Sequence, residues 1–498
     1  MQTFLLGYFQ KSKELFKRKP LPFILIIAFL VRLIAVIFSK GFAFHDDHFL
    51  VIEIAQSWIE GVNYWINQER SPTHSLVYPG LHYFLFLGLE GISIRDPQAK
   101  MYLVRFLHAL HSLWIVYFGY HITARLSNIA IAQKVGLLLA LLWFFPILAC
   151  RNLIEMVCIP FLMAGIYWLT RPKVQNHDFF IAGFLIGLGF IFRYQSAVFI
   201  LGLGLYLLYQ KELKVLLFLG LGYLTPILLI QGTVDLIFWG YPFASLHTYI
   251  EYNITHVGDY PVNNVATFSL LLLGIGIPPI SLYLFRGYAK ALQTFPIYTL
   301  PALAFFTFHS LYPNRQERFI LPAVPFWIIF GTIGWHLLQS KPFQKFKASS
   351  FYKKSWIFFW VVNTILLLAI TPTYTKKTRI EPLEYLANQP DFSAIILDGY
   401  DQNPPQLAYY YLQKWNAQVI QMDKTKSKEE FLQLLGSAHP TYLILFEEKE
   451  IAKREDFYRN FFPKLKLEKS FSPSWLDSLF HYLNPINKNQ KARVYKLV

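Results

Sequence analysis

The chain has 498 residues, of which 54% are hydrophobic, 18% aromatic and only 15% charged, and its mean hydropathy is +0.35. One water-soluble core of this length cannot hide that much apolar surface, so a purely soluble protein is excluded and the bilayer has to serve as solvent. The formal charge of +16, from 46 Lys and Arg against 30 Asp and Glu, lies largely in short loops between apolar runs and in the C-terminal segment, which is the pattern of membrane topology and not of a nucleic-acid groove.

Lys11, Lys13, Lys17, Arg18 and Lys19 precede the first apolar run, and this dense basic cluster places the start of the chain in the cytoplasm. Arg32 interrupts the run 21–38. No small-residue cleavage site follows it, so it reads as an uncleaved anchor. Further apolar runs at 102–122, 133–150, 153–170, 178–192, 195–210, 214–232, 266–285, 294–311, 319–338 and 355–372 bring the number of predicted spans to about eleven. The weaker run 81–89 is too short to cross and reads as interfacial. Alternation puts the connectors with Arg125, Arg171 and Lys173, Lys211 and Lys214, and Arg286 and Lys290 in the cytoplasm, together with Lys341, Lys345, Lys347, Lys353 and Lys354. The opposite face receives 41–101, 151–155, the turn at Arg193, 233–265, 313–318 and everything after 372. The segment 233–265 carries no Lys or Arg, which agrees with that side. Cys150 and Cys158 lie near the facing ends of adjacent apolar runs and read as two buried thiols, not as a disulfide or a metal site.

The first outer loop opens with His45-Asp46-Asp47-His48, followed by an amphipathic stretch, 49–60, that stops at Gly61. Paired carboxylates at a membrane exit suit general-base work on a sugar hydroxyl, because an alcohol is a poor nucleophile until a positioned carboxylate takes its proton. Glu53 follows Asp46 by seven residues, a spacing that shares one helix face. The plainer reading makes the aspartates N-caps of the apolar helix. A third makes one Asp and one His ligands of a divalent cation, although four consecutive residues cannot all converge on one ion.

Arg151, Arg193, Arg315 and Arg318 all emerge on the face predicted for Asp46 and Asp47. Arginine matches phosphate geometry and can hold a lipid-phosphate leaving group; each arginine can equally snorkel to lipid headgroups. The second outer loop offers Asp235, Phe238-Trp239-Gly240-Tyr241-Pro242, Tyr249, Glu251, Tyr252, Asn253 and His256. Rings and carboxylates of this kind bind sugars, and the same rings furnish an interfacial aromatic belt. After 372 the composition changes: 394–397, 442–446 and 493–498 read as strands and 405–414 and 428–435 as helices, a soluble domain of roughly 120 residues without a catalytic motif. The expected architecture is mainly α, a polytopic transmembrane helical bundle over 1–372 with extracytoplasmic loops, and a small C-terminal α/β soluble domain over 373–498.

Three motifs together resemble a known superfamily: the acidic pair after the first span, the pattern Asp-x-x-Phe-Trp-Gly from Asp235 leading to Tyr252-Asn253, and the late turn Asn314 to Pro322. They are similar to the GT-C glycosyltransferases, and most of all to the mannosyltransferases of GPI-anchor and N-glycan assembly, over 24–335. The resemblance implies an inverting transferase that takes a sugar from a polyprenyl or dolichyl phosphate donor with a first-loop acid as base. It makes Asp46 the family aspartate and Asp47 its acidic neighbour, with the two exchangeable by a one-residue shift of register. It also makes Glu53 a downstream glutamate, Asp235 the acid opening the second loop and Arg318 the arginine of the late turn. The family's late turn usually begins His-Lys-Glu, where this chain has Asn314, Arg315 and Gln316, and His48 replaces a bulky apolar residue; those departures leave the donor sugar open.

The reading that results is an integral membrane glycosyltransferase with Asp46 and Asp47 catalytic. His45, Glu53, Arg151, Arg193, Asp235, Tyr252, Asn253, Arg315 and Arg318 contact substrate. No nucleotide cofactor or nucleic acid is expected; the partners are a polyprenyl-phosphate sugar, membrane lipid and a glycan, lipid or protein acceptor. A lipid-linked glycan flippase would carry ionisable residues at mid-membrane on broken helices and show repeated halves, and no repeat is visible. A polymerase or ligase of lipid-linked glycans would share the arginine-rich face without requiring the acidic pair, and a membrane-anchored binding protein would leave the loop motifs unexplained. Short loops and the lack of a retention signal favour a bacterial inner membrane with a periplasmic site, the alternative being the lumen of the endoplasmic reticulum.

Overall fold

The computed structural model describes residues 19–62, 71–259, 264–401, 403–446 and 449–497. Lys11, Lys13, Lys17 and Arg18 of the first basic cluster lie outside the described residues. The chain divides into two compact units, one holding the described residues of Met1–Ile37, Gln68–Gly80 and Tyr102–Pro372, the other those of Phe38–Asn67, Leu81–Met101 and Thr373–Val498.

The first unit is helical throughout. Among the described residues five helices are long and apolar enough to cross a membrane: Pro20–Phe38, Pro97–Leu126, Leu213–Trp239, Glu317–Leu337 and Ser350–Ile370. The other predicted spans are shorter helices, Ile129–Leu141, Ile154–Leu169, Asn176–Phe192 and Tyr194–Tyr209, together with Pro296–Leu311. Two runs are broken. The run 266–285 is not one straight span but the pair Thr267–Ile275 and Ile280–Thr294, bent by 118°, because Pro278 and Pro279 supply no N–H to carry a helix through. The run 133–150 stops at Leu141 and resumes as Phe145–Ala149 with Pro146 in its first turn.

Close packing needs small residues where backbones meet. A Cβ at Gly334 would strike the carbonyl oxygen of Gly287, and one at Gly287 that of Gly331, so Ile280–Thr294 and Val324–Leu337 lie backbone to backbone. Arg32, wholly buried, does not disturb its span: Nε donates to Ser112 Oγ at 2.8 Å and the terminal nitrogens to the carbonyls of Ala28, Leu139 and Ala140. Cys150 and Cys158 are free and buried.

The second unit is built on a five-stranded sheet in the order β2-β1-β3-β5-β4, where β1 is Ala394–Asp398, β2 Gln418–Met422, β3 Tyr442–Phe446, β4 Lys466–Phe471 and β5 Ala492–Lys496. β1 is parallel to β2 and β3, while β5 runs antiparallel to β3 and β4. Strands β1 and β3 are buried along their whole length. At the end of β1, Asp398 accepts from Arg454 at 3.0 Å and from the Tyr458 hydroxyl at 3.1 Å, which fastens helix Ile451–Arg459 under the sheet. The helix predicted at 405–414 shrinks to Tyr409–Leu412, since Pro404 and Pro405 hold the preceding backbone extended.

Candidate functional site

In the first unit the site grows from breaks between helices. Asn176–Phe192 ends at Phe192 and leaves Arg193 extended before the turn Tyr194–Ser196. Ile154–Leu169 carries Glu155 in its first turn, where a helix favours negative charge. Arg318 sits in the 3-10 turn Glu317–Ala323. Arg193 Nη1 donates to Glu155 Oε1 at 2.5 Å, and Arg318 Nε stands 3.6 Å from the same oxygen. The ring of Phe319 receives both guanidiniums, at 5.1 Å from Arg193 and 5.6 Å from Arg318. Glu155 and Arg193 are each 1% exposed, yet Arg193 Nε and Nη2 and Glu155 Oε2 have no hydrogen-bond partner among the described residues. A buried donor left unused costs free energy that a bound acceptor recovers.

Arg193 and the other three arginines expected near the acidic pair are all buried, Arg151 at 3% exposure and Arg315 and Arg318 at 6%, so none snorkels outward. Arg151 lies in the turn between Phe145–Ala149 and Ile154–Leu169. Arg315 donates to the carbonyls of Ser310 and Leu311, closing the C-terminal end of Pro296–Leu311 where those acceptors lack helical partners. Asp235 is wholly buried and committed locally: it accepts the Ser245 N–H at 3.0 Å and the Ser245 hydroxyl at 2.7 Å. Gln231 Nε2 and the Tyr194 hydroxyl reach the same Ser245 oxygen. This network seats the start of helix Ala244–Thr255, which carries Tyr252 stacked on His256 at 4.3 Å. Asn253 is anchored by Tyr312, whose hydroxyl donates to its carbonyl at 2.8 Å.

In the second unit, His45–Asp47 is a single helical turn whose N-cap is Phe44; a π-turn, His48–Ile52, follows, and then Glu53–Ile59. Asp46 lies within the first turn and is not its N-cap, and Asp47, at the N-cap of the π-turn, makes no side-chain capping bond. The Asp46 side chain is 42% exposed, whereas Asp47 is buried. The π-turn winds less per residue than an α-helix, so the seven-residue spacing fails to put Glu53 beside Asp46. Glu53 turns inward, taking His48 Nε2 at 3.0 Å and the Tyr410 N–H at 3.1 Å. Burial holds its carboxyl above the usual carboxylate range against the pull of those bonds. His48 is stacked between Phe42 and Tyr411; His45 faces outward and meets Gln406 Oε1 at 2.7 Å. Among the described residues no three His, Cys, Asp or Glu side chains converge on one point.

The sequence profile of the Alg9-like mannosyltransferases matches residues 23–394. The chain belongs to the Alg9-like mannosyltransferase family. It is 23% identical over 406 residues to GPI mannosyltransferase 3 of Debaryomyces hansenii, spanning 74% of this chain and 68% of that protein. It is 21% identical over 315 residues to human GPI alpha-1,2-mannosyltransferase 3, covering 60% of this chain and 54% of the human protein. ArnT from Cupriavidus metallidurans, solved with undecaprenyl phosphate, shares the fold at a TM-score of 0.61 and 13% identity, over 96% of this chain and 97% of ArnT. The archaeal oligosaccharyltransferase AglB from Archaeoglobus fulgidus, in complex with an inhibitory peptide and a dolichol-phosphate, shares it at 0.50 and 11% identity, over 89% and 71%. The Alg9-like chain is therefore an integral membrane glycosyltransferase with the GT-C fold.

Sequence reasoning placed Glu155 only in a turn and gave no role to Phe319, Ser245 or Tyr312. The available signal for Glu155 was a lone acid at the head of an apolar helix, which in a membrane demands a partner.

Proposed function

We propose that this Alg9-like enzyme transfers mannose from a polyprenyl-phosphate donor to an acceptor hydroxyl on the extracytoplasmic face, with inversion at the anomeric carbon. A carboxylate of the Asp46–Asp47 pair takes the acceptor proton as the acceptor oxygen bonds to the anomeric carbon. The bond from that carbon to the phosphate oxygen breaks in the same step, and the electron pair leaves with the lipid phosphate. Arg193 and Arg318 hold the departing phosphate, and the observation that carries this assignment is the pair of buried, unpartnered donors Nε and Nη2 on Arg193. Fixed cationic donors aimed at developing negative charge are the largest catalytic term available to such a site. The relatives' name, GPI mannosyltransferase, makes a glycolipid the acceptor class to try first.

Purified protein in lipid nanodiscs, offered mannose, glucose and galactose on polyprenyl phosphate, tests the reading. Consumption of the mannosyl donor, with donor KM raised at least tenfold by Arg193→Met, supports it; no donor consumed with any glycolipid acceptor overturns it. Orientation is tested separately by an impermeant maleimide on Val257→Cys, an exposed position in the loop after Asp235. Labelling from the cytoplasmic side would contradict the extracytoplasmic placement, whether the opposite face is a periplasm or a lumen.

A further inference from the structure

Helix Trp475–Leu483 of the second unit presents Trp475, Leu479, Tyr482 and Leu483 on one side, at i, i+4, i+7 and i+8, and all four are exposed, Tyr482 at 84%. Asp477, on the opposite side, is buried, as is Leu476 at the edge of the stripe. Apolar residues at that spacing form a continuous stripe, and a soluble surface rarely leaves such a stripe with Trp and Tyr in it to water.

What lies against it follows from how the helix is tied. The Asp477 carboxylate accepts the N–H groups of Lys376 and Lys377 at 3.1 and 3.2 Å. Beyond the helix, Lys488 O accepts from Arg379 Nε at 3.1 Å and Asn489 Oδ1 from Lys376 Nζ at 3.0 Å, so both ends are fastened to 376–379. Lys376 follows the last residue of span Ser350–Ile370 by six residues, a covalent reach of at most about 20 Å. The intervening segment is pinned a second time: Ser39 Oγ donates to Thr373 O, Thr375 N to Lys40 O and Thr375 Oγ1 to Phe42 O. Those partners begin one residue after span Pro20–Phe38 ends. Gly41, at φ +83°, permits this approach, because a Cβ there would collide with the Thr375 carbonyl. The ends of two spans thus keep the helix within reach of one membrane surface. After Asp477 the sequence has Lys488, Lys491, Arg493 and Lys496 and no acidic residue, a charge balance that suits anionic headgroups.

We propose that Trp475–Leu483 is an interfacial membrane helix, lying in the bilayer surface with its apolar side about 5–10 Å into the boundary between headgroups and acyl chains, and that it fixes the second unit against the leaflet. Both native thiols are buried, so a cysteine placed at Tyr482 in the full chain takes an environment-sensitive fluorophore selectively. In nanodiscs holding one copy each, a doxyl lipid should quench this probe about twofold more than a probe at Lys453, whose side chain is exposed on helix Ile451–Arg459. Aqueous iodide should show the reverse order. Leu479→Asp, in protein that keeps the native elution profile, should reduce the Tyr482 lipid quenching to the Lys453 level. Equal iodide quenching at the two positions would overturn the proposal. Shielding that appears only when two copies share a disc would overturn it as well, in favour of self-association.

Discussion

Replacing Glu155 by Leu leaves the Arg193 guanidinium buried at 1% exposure without the carboxylate now 2.5 Å away. Removing one partner of a buried ion pair costs about 3–5 kcal/mol, mostly the penalty of the stranded charge. At the low end of the response of large domains, about 2 °C per kcal/mol, that is a fall of roughly 6–10 °C in apparent Tm. Glu155→Gln keeps an oxygen for Arg193 Nη1 and loses only the charge assistance, about 1–2 kcal/mol. The double variant Glu155→Leu with Arg193→Met removes both charges, and Arg318 retains Gln316 Oε1 at 3.1 Å, so most of the loss should be recovered. The assay is tryptophan-monitored unfolding in nanodiscs at one scan rate, since such transitions are governed by rates. A Glu155→Leu protein that melts within a degree or two of the native one, or a double variant no better than the single, would refute the pairing as the element that holds these breaks together.

Asp235→Ala should strand the Ser245 N–H at a cost of about 1–3 kcal/mol; faster chymotryptic cleavage around Tyr241 and Phe243 reports the loosened helix start, and unchanged cleavage argues against the network. Gly334→Leu should force apart helices whose backbones touch at Gly287, an overpacking of about 1–3 kcal/mol or more, read as loss of the monodisperse fraction on size exclusion. Burial pushes the Lys376 amine down from its usual 10.5 to about 7, Arg379 adding to the shift and Asp477 opposing it. The unfolded chain then binds more protons than the folded one between pH 7 and 10.5, so stability rises with pH across that window and the penalty is complete below it. Lys376→Gln should flatten this slope, and an unchanged slope in melts between pH 7 and pH 10 would contradict the burial argument.

The helices were legible because apolar runs of span length have few alternatives, and β1, β3 and β5 because their buried residues are contiguous or alternate clearly. Strands β2 and β4 were not, since edge strands keep polar residues: β4 reads Lys466-Leu467-Glu468-Lys469-Ser470-Phe471 and buries only the last. The acids of the first loop were visible as a motif, but the π-turn that sends Glu53 to His48 and Tyr410 has no signature in residue spacing. The outer arginines were equally visible. Their sorting was not: Arg315 serves carbonyls at the helix end just before it, while Arg193 Nε and Nη2 have no partner among the described residues, a distinction set by local backbone direction that composition does not reveal. Asp235 looked like a sugar ligand from composition and is in fact committed to Ser245.

The most direct test of the enzymatic account is mannose transfer from polyprenyl-phosphate mannose to a glycolipid acceptor by the native chain, Asp46→Asn and Asp47→Asn, with donor affinity measured in parallel. Loss of a general base typically costs about 10²–10⁴ in rate, so at least one substitution should depress kcat by that much while donor affinity and Tm stay near native. Native turnover in both variants would contradict the role assigned to the acidic pair.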